Sequence, residues 1–176
     1  DFFLLRLQTV PAPEAVAEGR LPEARALAER LAAAFPTRLY IELQRHHDAE
    51  GRPVAEEQAS EGGMIDLAYA LDLPLVATND VYFPKSELYA AHDALICISE
   101  RSYVDQTAPR RRLTPQHYFK TAAEMATLFA DLPEALDNTV EIARRCAFAV
   151  KKHKPILPIF AQDEVEELRR QAWDGL

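Results

Sequence analysis

In Leu73-Pro74-Leu75-Val76-Ala77-Thr78-Asn79-Asp80-Val81-Tyr82-Phe83, a short apolar run empties abruptly into polar groups. Leu75-Val76-Ala77 is bounded by Pro74 and is long enough only for a buried strand. Thr78, Asn79 and Asp80 then bring polar atoms that a core accepts only with partners. A buried strand ending in a carboxylate at its C-terminal edge is where barrels and open α/β sheets place their sites.

Upstream, the pattern predicts what surrounds this strand. Leu21, Ala24, Leu27, Ala28, Leu31 and Phe35 repeat on one face of a helix, with Pro22 in its first turn and Pro36 stopping it. Residues 38–44 alternate, with Leu39, Ile41 and Leu43 on one side, and read as a second strand. His46 to Gly63 carries Gly51, Pro53, Gly62 and Gly63, so it reads as loop with a short helix around Val54 to Ser60. Met64, Leu67, Ala68 and Leu71 mark the next helix. Helix, strand, helix, strand argues for parallel strands with covering helices, an α/β fold.

Downstream, everything reads as helical. Ser86 starts a helix whose apolar positions are Leu88, Ala91, Leu95 and Ile96. Thr114-Pro115 opens a short helical turn. Thr121 with Glu124 forms a capping box before Met125, Leu128 and Phe129. Asp131, Pro133 and Glu134 open a helix through Leu136, Val140, Ala143 and Cys146. Pro155 and Pro158 mark a linker, and Asp163 with Glu166 begins a last helix carrying Val165, Leu168 and Ala172. The α/β portion therefore reaches about residue 100, and a helical portion follows.

The 176 residues suffice for a sizeable core. A net charge of −8 excludes a global attraction to nucleic acid but not a local basic patch. Cys97 and Cys146 fit no zinc spacing and no disulfide framework, and read as buried thiols in a reducing cytoplasm. No apolar run is long enough to span a membrane. The chain opens without Met, which reads as an internal piece of something longer.

Four groups are candidates for chemistry: Glu42, His46 or His47, Asp80 and His92. If the two strands are parallel neighbours, these groups meet at one sheet edge and could hold Zn²⁺ or Mn²⁺ for phosphoester hydrolysis. Each also has a plainer reading. Glu42 faces solvent or pairs with an arginine, the loop histidines are solvated, His92 edges a helix, and Asp80 caps a turn. Arg110, Arg111 and Arg112, with Arg101, Lys120 and the rings of Tyr103, His117, Tyr118 and Phe119, form a basic segment suited to phosphates or to a neighbouring protein. Lys151-Lys152-His153-Lys154 is a second one.

Arg38-Leu39-Tyr40-Ile41-Glu42-Leu43-Gln44-Arg45-His46 and Val76-Ala77-Thr78-Asn79-Asp80-Val81 resemble the N-terminal region of the bacterial DNA polymerase III alpha-subunit family. The likeness continues through residues 92–98 and 111–120, is densest over 124–148, and covers about residues 14 to 176. It favours the replicative branch over the error-prone one. The resemblance implies a polymerase-and-histidinol-phosphatase (PHP) domain, a distorted β/α barrel, of which residues 1–100 would be the C-terminal part. Residues 101–176 would be the helical connection towards the polymerase palm. Residues 1–12 do not match.

The resemblance also implies a site. Metal-binding PHP domains read Asp-x-His at this strand end, and both side chains bind the ion. Here Asp80 matches while Tyr82 stands at the histidine position, and a phenol with a pKa of about 10 is a poor ligand at neutral pH. Asp80 is thus expected as a vestigial metal residue, with Zn²⁺ or Mn²⁺ bound only by an intact site. No catalytic residue is expected in this stretch. The parent would use Mg²⁺ for DNA synthesis and work with other polymerase III holoenzyme subunits, including the proofreading exonuclease, and with DNA. The other readings are a metal-dependent PHP phosphoesterase and a non-catalytic interaction module.

Overall fold

The computed structural model describes residues 3–5, 11–153 and 158–176 of the chain. Three parallel strands, β1 (Phe3–Leu5), β2 (Leu39–Leu43) and β3 (Leu75–Ala77), form one sheet in the order β1-β2-β3. Ile41, Glu42 and Leu43 stand opposite Leu75, Val76 and Ala77. The parallel neighbourhood of the two sequence-predicted strands is therefore real. Phe3, Leu4 and Leu5 pair with Leu39, Tyr40 and Ile41, so β2 is the central strand. Its five residues are all buried, as a parallel strand covered on both faces requires.

Helices α1 (Pro11–Ala17) and α2 (Leu21–Ala34) lie between β1 and β2, and α3 (Ala55–Ala70) lies between β2 and β3. α2 follows the expected pattern, with Pro22 in its first turn and Phe35 at its end. α3 does not, because it is one continuous helix running through Gly62 and Gly63, which the sequence placed in a loop. Gly63 is there for packing. A Cβ at this position would run into Val16 Cγ1 of α1, so the missing side chain lets the two helices approach. Asp72, with φ of 53°, turns the chain from α3 into β3, a conformation in which Asp is tolerated.

A 3-10 turn at Ser86–Leu88 leads into α4 (Tyr89–Glu100). The expected apolar face of this helix is only partly correct. Ile96 is buried, but Leu95 is 61% exposed, and the inner face consists of Asp93, Ile96 and Cys97. Thr114-Pro115 begins a turn, not a helix. The capping box at Thr121 is present, with Glu124 N–H on the Thr121 hydroxyl and the Glu124 carboxylate on Thr121 N–H, and it starts α5 (Ala122–Leu128). α6 (Pro133–Arg145) packs against β3, and Asn138 Nδ2 donates to the Leu75 carbonyl at 2.8 Å. Cys97 is buried as expected, but Cys146, at the end of α6, is exposed because that end of the helix faces solvent.

The core joins the two portions inferred from the pattern. Leu39, Ile41, Leu43, Met64 and Leu75 pack with Phe129, Leu132 and Ala135 in one cluster. Arg45 reinforces this union. Its guanidinium bonds Glu61 of α3, both oxygens of Asp131 and the Leu128 carbonyl, while lying 4.7 Å over the Phe129 ring.

Ala147–Leu176 is a separate compact unit. It contains α7 (Glu164–Asp174), capped as expected by Asp163, whose carboxylate accepts from the N–H groups of Val165 and Glu166. Val165, Leu168 and Trp173 are exposed on it. Pro155 and Lys154 lie outside the described residues, while Lys151, Lys152 and His153 are exposed. Among the described residues no helix is long and apolar enough to cross a membrane.

Candidate functional site at the carboxyl edge of the sheet

Parallel pairing delivers the ends of β2 and β3 to the same edge, and the segment after α4 returns to cover it. Tyr82 N–H donates to the His117 carbonyl at 2.9 Å, Phe119 N–H to the Phe83 carbonyl at 3.0 Å, and Asn79 Nδ2 to the Tyr118 carbonyl at 2.7 Å. Residues 117–120 are thereby held alongside residues 79–83.

His46 is fully buried at this edge, with no exposed side-chain surface. Its Nδ1 lies 2.7 Å from Glu57 Oε1, and its backbone N–H donates to Glu57 Oε2 at 2.6 Å. Among the described residues its Nε2 has no hydrogen-bond partner. The His117 ring stacks on His46, with centroids 3.9 Å apart and planes 6° from parallel. Burial first, then the neighbouring His46, pushes the His117 pKa down to about 4. Thr114 N–H donates to His117 Nδ1 at 3.2 Å, which suits the neutral ring.

Glu42 belongs to a second group. It is buried, and its Oε1 accepts from the Thr78 hydroxyl at 2.5 Å and from Gln44 Nε2 at 3.4 Å. Asp80 is half-buried, and its charge acts on His117. His92 reaches the edge from α4, its ring 5.5 Å from both Tyr82 and Phe83. His47 opposes Pro53 in a single bridge and lines a hollow with His46 and Glu57. The edge thus links His92 to Tyr82, Tyr82 to His117 and His117 to His46, with the Asp80 charge acting on His117.

Sequence pattern alone puts Glu57 in a short loop helix and His117 in the basic segment, and neither in the site. Neither carries a local signal, because their partners are 11 residues away for Glu57 and across the fold for His117.

The arginine triplet divides. Arg110 turns inward and grips Asp93 with two bonds of 2.7 and 2.6 Å, its side chain only 3% exposed. Arg110 in turn holds the Asp93 carboxyl below the usual carboxylate range. Arg111 and Arg112 are exposed. Lys120 donates to Asn79 Oδ1 at 3.0 Å and to the Gln116 carbonyl, and burial lowers its pKa.

The chain is 52% identical over 170 residues to the DNA polymerase III subunit alpha of Caulobacter vibrioides, covering 94% of this chain and 14% of that protein. The subunit alpha of Pseudomonas fluorescens is 44% identical over 90% of the chain, and that of Rickettsia bellii 42% over 88%. In both cases the match takes in 13% of the relative. Over nearly all of its length the chain is similar to a segment of DNA polymerase III alpha subunits. It spans about one seventh of the length of the curated relatives it matches. No protein-family model matches it.

The family resemblance raised zinc or manganese, and the geometry can be tested for it. Among the described residues no three His, Cys, Asp or Glu side chains converge as ligands. Stacking also works against it. Two face-to-face imidazoles direct their lone pairs in parallel planes, whereas a shared ion needs them to meet at one point. The described residues do not fit such an ion. The His46–Glu57 pair has the form of a general base with its orienting carboxylate, and its imidazole is fully buried.

Proposed function

We propose that this chain is a scaffold and docking part of a replicative DNA polymerase III alpha subunit, without chemistry of its own. Residues 1–100 would be the C-terminal part of a PHP barrel, and residues 101–176 the helical connection towards the palm. The parent protein would carry out template-directed DNA synthesis with Mg²⁺ in the cytoplasm, alongside other holoenzyme subunits such as the proofreading exonuclease. The observation that carries this reading is the 52% identity over 94% of the chain to a subunit alpha.

The non-catalytic part of the reading is supported by how the sheet edge is filled. Glu42 is bonded to Thr78, and His46 is bonded to Glu57 and stacked on His117. Tyr82 occupies the place of the expected histidine ligand, and Asp80 would be a vestige. The test is made on the full-length polypeptide carrying this chain. The expected result is primer extension unchanged in Asp80→Asn, with no stoichiometric zinc or manganese and no phosphatase turnover. Bound metal with turnover abolished by Asp80→Asn would replace this reading with a PHP phosphoesterase. Absence of primer extension from the parent would remove the polymerase assignment.

A further inference from the structure

Between α4 and α5 the three consecutive arginines have different surroundings, and the difference points outward. Arg110 is locked onto Asp93 and so fixes the backbone at this point. Arg111 lies 5.8 Å over the Tyr82 ring and donates to its hydroxyl at 3.3 Å. Arg112 reaches the carbonyls of Val104 and Gln106 at 3.4 and 3.5 Å, the outer limit of hydrogen bonding. Among the described residues no carboxylate stands within ion-pair distance of either. A guanidinium has five N–H donors, so most of the donor capacity of this pair is left for a ligand.

Bare aromatic surface accompanies these charges. Tyr82 is 40% exposed and Phe119 72% exposed. Phe119 N–H is bonded to Phe83, the residue after Tyr82, so the two rings belong to the same short pairing. Tyr103, 73% exposed, sits on the loop whose carbonyls receive Arg112.

We propose that Arg111, Arg112, Tyr82 and Phe119 form a docking surface for single-stranded nucleic acid, with the arginines on phosphates and the rings under unpaired bases. Guanidinium groups match phosphate geometry, and flat rings accept any base by stacking. An acidic protein segment would use the charges and leave the rings idle. The surface is built before the ligand arrives, since the Arg110–Asp93 pair and the Phe83–Tyr118 bridge hold both of its sides, and little ordering is needed on binding. On a chain of net charge −8 it is a local site. The inference rests on the polymerase reading only in taking the strand to be DNA.

The test is photo-crosslinking of iodouracil-bearing oligodeoxythymidine and oligouridine to the full-length polypeptide, with the crosslinked peptides mapped by mass spectrometry. Crosslinks are expected on peptides containing Tyr82, Tyr103 or Phe119, weakening as salt rises. Their yield should fall about tenfold in Phe119→Ala, the scale of one lost base stack, and similarly in an Arg111→Ala, Arg112→Ala double variant. Both variants should keep the parent's unfolding midpoint, which separates lost binding from lost fold. Crosslinks confined to other peptides, or yields unchanged in both variants, overturn the proposal. So does a double variant that releases a protein subunit while crosslinking normally. Preference for oligouridine supports the surface and overturns its assignment to DNA. Primer extension measured on the same samples scores the scaffold reading separately.

Discussion

His117 and Arg110 show how much one residue can commit in this fold. His117 titrates near pH 4 when folded against 6.5 when free, so between these values the unfolded chain binds a proton that the native chain does not. Stability should therefore be complete above about pH 6.5 and decline as pH falls towards 4, by about 3 kcal/mol from this group. Urea unfolding at intervals from pH 7 to 4.5 measures the slope, and His117→Gln should flatten it. A slope unchanged in that variant would sink the account. Arg110→Ala leaves the Asp93 carboxylate buried without its partner, an expected loss of about 3–5 kcal/mol. Arg110→Lys should recover only part of this, since an ammonium cannot make both parallel bonds. Full recovery would mean that charge alone matters there.

At the scale of the element, α3 is the informative case. Gly62 and Gly63 are adjacent and locally equivalent, yet only Gly63 faces Val16. Among the described residues, nothing lies within 4 Å of a Cβ added at Gly62. Gly62→Ala should stabilise by up to about 1 kcal/mol through helix propensity. Gly63→Ala should destabilise by about 1–3 kcal/mol through overpacking between α1 and α3. Melting temperatures shifting the same way in both variants would contradict this packing account. Local chemistry announced other elements well. Pro22 and the apolar spacing of α2, the capping box at Thr121 and the Asp163 cap all act within a turn or two of chain. α4 misled because its inner face is chosen by Arg110, a residue 17 positions from Asp93.

For the whole molecule, the relevant quantity is apolar surface left in water. Leu95, Ile98, Phe148 and Ile159 are each more than half exposed. Exposed apolar surface of this kind associates unless something covers it. The isolated chain is thus expected to self-associate, with light scattering that grows with concentration and binding of a hydrophobic dye. A monodisperse monomer with one cooperative melt would argue against it.

The sequence by itself determined the α/β class, the two parallel strands around Glu42 and Asp80, most helix positions and the likeness to DNA polymerase III alpha subunits. Each of these follows from periodicity, caps and breakers acting over a few residues, or from residue identity. The filling of the sheet edge was decided by the tertiary structure alone. Glu57 under His46, His117 stacked upon it and Arg110 turned away onto Asp93 are pairings between distant parts of the chain. Burial makes each of them compulsory, because a polar group removed from water must find its partner wherever the fold brings one.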